Sequence, residues 1–310
     1  MKRPELHNLS GRRVLLTGAA GGIGRATALL AAAEGAELFL TDLDEAGLTR
    51  TVKEIREQGR ATGCHALAAD LTDPSQVEAL AAHFHAEAGP MDIVMNIAGI
   101  STWGTVQDLG PADWRAMVEV NLMGPIHVIE QFLPPMIAAG HGGHLVNVSS
   151  AAGLLGLPRH AAYSAGKFGL RGVSEVLRFD LRKHGIGVSL VCPGAVDTPL
   201  TETVRIVGAD TQSASYRRFH RLFRRVAASP EAVAAAIWDG VRDNRYLVHT
   251  SPAVRALHHA ERWAPPLYRA AMRGLGALAD RVLDAPGEST RRRPEQGGGA
   301  GLTGLTGGAR

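Results

Sequence analysis

Arg13-Val-Leu-Leu-Thr17-Gly18-Ala-Ala-Gly21-Gly22-Ile23-Gly24, running on into Arg25-Ala-Thr-Ala-Leu-Leu-Ala-Ala-Ala-Glu34, joins a short apolar run, a glycine-rich turn and a helical pattern. A strand that enters a helix through such a turn makes an anion site, because free backbone N–H groups and the positive end of the helix dipole converge there. Glycine is needed where a side chain would hold a pyrophosphate away from the backbone. The spacing Gly18-x3-Gly22-x-Gly24 departs from the common Gly-x-Gly-x2-Gly dinucleotide fingerprint, so the surroundings have to decide. They do. A second strand, Ala36-Glu-Leu-Phe-Leu-Thr41, ends at Asp42, roughly 20 residues past the glycines. An acid there accepts hydrogen bonds from ribose hydroxyls and repels a 2′-phosphate, which favours NAD over NADP.

Working outward, strands and helices alternate to Cys192, the pattern of a parallel sheet covered on both faces. The periodicity predicts strands at 13–17, 37–42, 64–69, 92–95, 143–149 and 187–192, with a short seventh near Tyr246-Leu-Val248. Helices are predicted at 22–34, 44–58, 74–88, 112–138, 161–184 and 230–242. The expected fold class is therefore α/β, a Rossmann-type doubly wound parallel sheet of about seven strands with helices on both faces. Right-handed crossovers put the ligand crevice at the carboxyl ends of the strands, where Gly18, Asp42, Asp70, Asn96, Ser150 and Pro193 all fall.

At that edge lies Asn147-Val-Ser-Ser150-Ala-Ala-Gly153, followed by Tyr163-Ser-Ala-Gly-Lys167. Positions i and i+4 share a helix face, so the Lys167 ammonium can lie beside the Tyr163 phenol. A nearby cation favours the phenolate and is expected to bring a group that titrates near pH 10 toward neutrality. Tyr163 is thus a candidate general acid/base, with Ser150 placed to hydrogen-bond the reacting oxygen.

With these motifs in order, the chain resembles a short-chain dehydrogenase/reductase of the shorter, non-extended subgroup, from about Gly11 to about Val248. Ala69-Asp70-Leu71 resembles the adenine-contacting strand end, Asn96-Ile-Ala-Gly99 the Asn-Asn-Ala-Gly segment, and Pro193-Gly194 with Thr198 the loop that holds the nicotinamide carboxamide. The resemblance implies a catalytic set of Ser150, Tyr163, Lys167 and Asn121. It also implies cofactor contacts at Gly18, Gly22, Ile23, Gly24, Asp42, Leu43, Asp70, Leu71, Asn96, Ala98, Gly99, Tyr163, Lys167, Pro193, Gly194, Val196 and Thr198. The activity it implies is NAD-dependent interconversion of a secondary alcohol and a ketone. Ile97 and Gly166 depart from the family pattern, in which an asparagine and a serine are common. Gly18, Gly21 and Gly24 also fit the extended subgroup's spacing, so an epimerase or dehydratase stays open as an alternative, as does an NAD-binding regulatory protein without turnover.

Domain organisation is read as a catalytic domain over 1–250 with a substrate loop at about 199–229, a helical appendage over 251–285, and a disordered tail over 286–310. Within the loop, Tyr216-Arg-Arg-Phe-His-Arg-Leu-Phe-Arg-Arg-Val226 reads as a helix with an apolar face and a basic one, either simply solvated or facing an anionic group. The appendage carries Leu257, Ala260, Ala264, Leu267, Ala271, Leu275, Leu278 and Val282 at helical spacing, broken at Pro265-Pro266. Such a stripe packs on its own domain or a partner, with weak peripheral membrane contact through Trp263 and Tyr268 as the other reading.

The formal charge is +3, and +2 of it lies in the tail from residue 286, so no basic nucleic-acid groove is indicated. Cys64 and Cys192 each fall in a strand and read as reduced, small apolar side chains. With no apolar run near ~20 residues and no signal-peptide pattern, cytoplasmic placement is expected. Thirteen histidines invite a metal, but none has partners at ligand spacing, so no metal site is expected. Small residues along the helix from Ala161 (Ala162, Ala165, Gly166, Gly169, Gly172) suit close approach of a neighbouring helix, and the resemblance implies a homodimer or homotetramer. Ala151, Leu154, Leu157, His160, Ala195 and Leu200 are the candidate pocket residues and suit a lipid-, steroid- or aromatic-like substrate.

Overall fold

The computed structural model describes residues 6–198, 204–209 and 213–283, excepting the side chains of residues 215, 219 and 222. Leu200, part of the 199–229 loop and the tail from residue 286 lie outside the described residues. The strands are β1 (Arg13–Thr17), β2 (Glu37–Thr41), β3 (Gly63–Ala66), β4 (Ile93–Asn96), β5 (Thr102–Trp103), β6 (Gly143–Val148), β7 (Ile186–Cys192), β8 (Arg205–Ile206) and β9 (Leu247–His249). Seven form one parallel sheet in the order β3-β2-β1-β4-β6-β7-β9, and β5 pairs with β8 in a second, two-stranded sheet. The order reverses between β1 and β4, which opens the crevice expected of a doubly wound sheet at their carboxyl ends.

The helices are α1 (Gly22–Ala33), α2 (Glu45–Gln58), α3 (Pro74–Ala88), α4 (Pro111–Val118), α5 (Gly124–Ala139), α6 (Ala161–Asp180), α7 (Ala214–Val226), α8 (Pro230–Arg242), α9 (Pro252–Trp263) and α10 (Pro265–Leu283). Their ends are set by local chemistry. Asp44, Asp73 and Ser229 accept hydrogen bonds from the first-turn amides of α2, α3 and α8, and Pro74 and Pro230 occupy first-turn positions that need no donor.

Alternation along each strand divides the core between the two faces. Leu16, Leu38, Leu40 and Val146 pack with Ile237 and Trp238 of α8 on one side. Leu15, Phe39, Val94 and Leu145 pack with Phe84 of α3 and Phe132 of α5 on the other. Strands buried on both faces read as unbroken apolar runs, which is why the sheet was legible.

The helix expected over 112–138 is instead α4, a π-helical turn over Glu119–Met123, and α5. Pro125 has no N–H to offer the Asn121 carbonyl, and the Gly124 N–H bonds five residues back to Glu119, so the ladder slips by one. The helix expected over 161–184 ends at Asp180 and tightens into a 3₁₀ turn over Leu181–His184. The strand expected over 64–69 stops at Ala66.

α6 is tied to the sheet by buried hydrogen bonds whose structural role the sequence does not announce. Asn96 Nδ2 donates to Asn147 Oδ1 (2.9 Å), Asn147 Nδ2 donates to Ser174 Oγ (2.9 Å), and Ser174 Oγ donates to the Leu170 carbonyl (2.7 Å). Ser149 Oγ donates to the Lys167 carbonyl at 3.0 Å. Removing Asn147 strands two buried partners, so Asn147→Ala is expected to lower unfolding free energy by about 1–3 kcal/mol in urea titration. A change below about 0.5 kcal/mol would show that the tie does not hold α6.

Candidate active site

The glycine turn is built by close approach. Gly18 has φ 71°, and a Cβ there would lie 2.8 Å from the Ala98 backbone. A Cβ on Gly24 would overlap the Gly18 carbonyl. Thr17 Oγ1 accepts from the Ile97 and Ala98 amides (3.0 and 3.1 Å), fixing β4's end against the turn. Gly21 caps α1 and leaves its first-turn amides without a side-chain cap, and Asp42 accepts from Ala20 N at 2.9 Å and Asp44 N at 3.0 Å. Asp70 accepts from the Thr72 amide and hydroxyl, and the Leu71 carbonyl faces His127 Nδ1. Leu43 is exposed beside Asp42. A turn that closes only with glycine at 18 and 24, at a helix N-terminus and with an acid at the end of β2, fits a nicotinamide dinucleotide.

The catalytic candidates meet at the sheet edge. Lys167 is only 4% exposed; its Nζ donates to the Val148 carbonyl (3.0 Å) and lies 5.8 Å from the centre of the Tyr163 ring. Tyr163 and Ser150 line the same cavity, and Ser150 Oγ accepts from Ala152 N at 3.1 Å. Asn121, turned inward by the π turn, exchanges hydrogen bonds with the Ile100 backbone (3.2 and 3.0 Å). A Cβ on Gly99 would stand 2.8 Å from Asn121 Oδ1 and 3.1 Å from Lys167 Nζ, so glycine is needed there.

Electrostatics differ from the expectation drawn from spacing. Burial pushes the Tyr163 phenol up to about 12 against the opposing Ser150 hydrogen bond, and brings the Lys167 ammonium down to about 8. Desolvation is the largest cause of both shifts, and it keeps the phenol protonated at pH 7.

Above this pair is a cavity of about 450 Å³. Ala151, Leu157, His160 and Ala195 line it as expected, whereas Leu154 is buried beneath in the apolar cluster with Cys192 and Val254. Pro193, Gly194, Val196, Thr198 and Ile23 line it too. His160 donates from Nδ1 to the Pro158 carbonyl at 2.6 Å, packs at a tilt of 37° with its ring centre 4.4 Å from that of Trp103, and is held below the usual histidine range by burial despite that hydrogen bond. Tyr216, His220 and Phe223 of α7 face the cavity while Arg217, Arg218, Arg221, Arg224 and Arg225 are exposed, and Arg224 pairs with Asp197 at 3.0 Å. The sequence reading missed Trp103, Arg159 and the α9–α10 residues. Only the amphipathic spacing of the last group offered a signal.

Gly166 and Gly169 serve close approach within the chain, to Met117 and to Leu122, while Gly172 has open space beside it. No described helix is long and apolar enough to cross a membrane. Among the described residues no cluster of three metal-ligating side chains is found.

A sequence model of the short chain dehydrogenase family matches residues 12–206. The protein named "Probable oxidoreductase EphD" of Mycobacterium tuberculosis is 35% identical over 264 residues, covering 84% of this chain but 44% of that protein, so the chain spans less than half of that relative's length. The 3-oxoacyl-acyl-carrier-protein reductase FabG of Thermotoga maritima is 35% identical over 194 residues, 63% of this chain and 78% of that one. A short chain dehydrogenase/reductase from Burkholderia phymatum, solved in complex with NAD, superposes with a TM-score of 0.76 at 31% identity, over 84% of this chain and 96% of its own. The chain belongs to the short chain dehydrogenase family.

Two substitutions test the site's construction. Asp42→Ser removes the charge facing a 2′-phosphate and is expected to lower the NAD-to-NADP ratio of kcat/KM by about tenfold or more; an unchanged ratio would remove Asp42 from cofactor choice. At Gly166, where a Cβ would come 2.6 Å from the Met117 carbonyl and 2.9 Å from Asn121 Cβ, serine must push α4 and α6 apart. Gly166→Ser is expected to cost about 1–3 kcal/mol in stability and at least about tenfold in kcat, and near-wild-type values for both would contradict that reading.

Proposed function

We propose that this short-chain dehydrogenase interconverts an apolar secondary alcohol and its ketone with NAD as the hydride partner. The observation that carries the proposal is a buried Tyr163 phenol beside Ser150, with the buried Lys167 Nζ 5.8 Å from its ring centre, in an apolar cavity at the cofactor crevice. NAD, when bound, supplies or accepts the hydride.

The chain's own groups handle the oxygen and its proton. Tyr163 gives its proton to the ketone oxygen as charge develops there, and takes it back in the reverse direction. Ser150 donates to the same oxygen and stabilises that charge. Lys167 holds positive charge beneath the phenol and binds the nicotinamide ribose. Asn121 fixes the Ile100 backbone beside the ammonium and positions water on a proton path to solvent. Apolar walls exclude bulk water, which strengthens each of these interactions. We also propose self-association through the outer face of α6, where Phe168, Val176 and Phe179 are exposed, and a dimer or tetramer as the working unit.

Tyr163→Phe is expected to reduce turnover at least about a thousandfold while leaving NADH affinity within about twofold; retained turnover would end the assignment. pH dependence gives a second check. A phenol held above its usual range gains phenolate about tenfold per pH unit, so alcohol oxidation should rise above about pH 7, while ketone reduction should fall above about pH 8 as Lys167 loses its proton. Reduction that rises with pH would contradict Tyr163 as the acid.

A further inference from the structure

α9 and α10 lie beyond the stretch that the family model matches. On α10, Leu275, Leu278, Ala279, Val282 and Leu283 recur at intervals of three and one, so they form one helical face, and all five line the cavity that contains Tyr163 and Ser150. Two anchors hold the helix there. Tyr268 Oη accepts from Gly156 N at 2.9 Å, and Asp280 pairs with Arg159 Nη2 at 2.9 Å. Both reach the segment that leads directly into α6, so α10 is fixed relative to the reacting phenol. Arg159 is held in the left-handed region (φ 63°) with its side chain 6% exposed, so the partner it meets at Asp280 is met from beneath the helix.

Leu278 is 49% exposed and Leu275 39%, although their face is turned to the cavity. An apolar ligand would cover both. On the side of the cavity next to α10, the Arg159 charge is met by Asp280 and His160 Nδ1 by the Pro158 carbonyl, while the polar groups of Tyr216 and His220 stand on α7. The wall that α9 and α10 add is aliphatic, with Val254 and Leu257 joining the α10 leucines, and side chains with several rotamers adapt to a flexible tail better than to a flat ring.

We infer that α10 is the specificity wall of the substrate site, and that the substrate is a secondary alcohol or ketone bearing an extended aliphatic chain that lies along Leu275, Leu278 and Val282. The chain-length preference rests on the reaction proposed above, and the test separates the two. The full chain is assayed with NADH and a series of methyl ketones of about four to about twelve carbons, and thermal unfolding is followed with the same ketones in the presence of NADH. kcat/KM is expected to climb about three- to fourfold per methylene, with Tm shifts rising in parallel, until the chain outruns the cavity. Leu278→Asn and, separately, Leu275→Asn are expected to flatten both slopes.

Turnover with no dependence on chain length in the wild-type protein would overturn the wall and leave the reaction standing, as would a rigid polycyclic ketone outperforming every chain. Tm shifts that grow with chain length and vanish in the variants, without turnover, would keep the wall and overturn the reaction. Absence of both chain-length-dependent shifts and turnover would overturn the wall. The wild-type series decides the matter even where a variant fails to fold.

Discussion

The geometry of the site depends on how α6 is seated on the sheet. Tyr163 and Lys167 ride on that helix, but nothing in a helix fixes its rotation or height relative to a neighbouring strand except what it touches. Here the contacts are polar and buried: Asn147 to Ser174, Ser149 to the Lys167 carbonyl, and Lys167 Nζ to the Val148 carbonyl. Apolar packing tolerates sliding, whereas a buried hydrogen bond lost without replacement costs about 1–3 kcal/mol. Three such bonds, from the last two residues of β6 and the residue that follows them, define one position for the helix. Gly166 and Gly169 then let α4 and the π turn close on its other side, which brings Asn121 into the same site.

Burial of that site governs its electrostatics. The pair that spacing suggested would lower the phenol's pKa is instead dominated by desolvation, which raises the phenol and lowers the ammonium. Both shifts disfavour charge, so the phenol keeps its proton at neutral pH. The same apolar walls that produce this effect define what can enter, and α10 adds to them a face that the rest of the domain does not provide.

Much of this was legible in the chain because it has local causes. Leu15 and Leu16, or Phe39 and Leu40, each go to opposite faces of a sheet buried on both sides, and such runs stand out. Gly18, Gly24 and Asp42 are forced by close backbone approach and by charge, and they fall where the turn put them. What was hidden depends on distant partners. Asn147 read only as the start of the stretch that leads to Ser150, because its role comes from Asn96 and Ser174, 51 and 27 residues away. The slip at Pro125 was hidden by an apolar pattern that continues through it. The α10 stripe was visible as a stripe, but its occupant, the catalytic cavity, is set by Arg159 and Gly156 more than a hundred residues earlier.

The central claim is that the Tyr163 hydroxyl and Ser150 together hold the reacting oxygen at the nicotinamide edge of an apolar cavity. A crystal structure of the full chain with NADH and an unreactive amide or sulfoxide analogue of a methyl ketone tests it most directly. The account predicts the analogue's oxygen within about 3 Å of both Tyr163 Oη and Ser150 Oγ, with its carbon facing the nicotinamide ring. An analogue bound with that oxygen turned away from Tyr163, or held by other groups of the cavity, would contradict it.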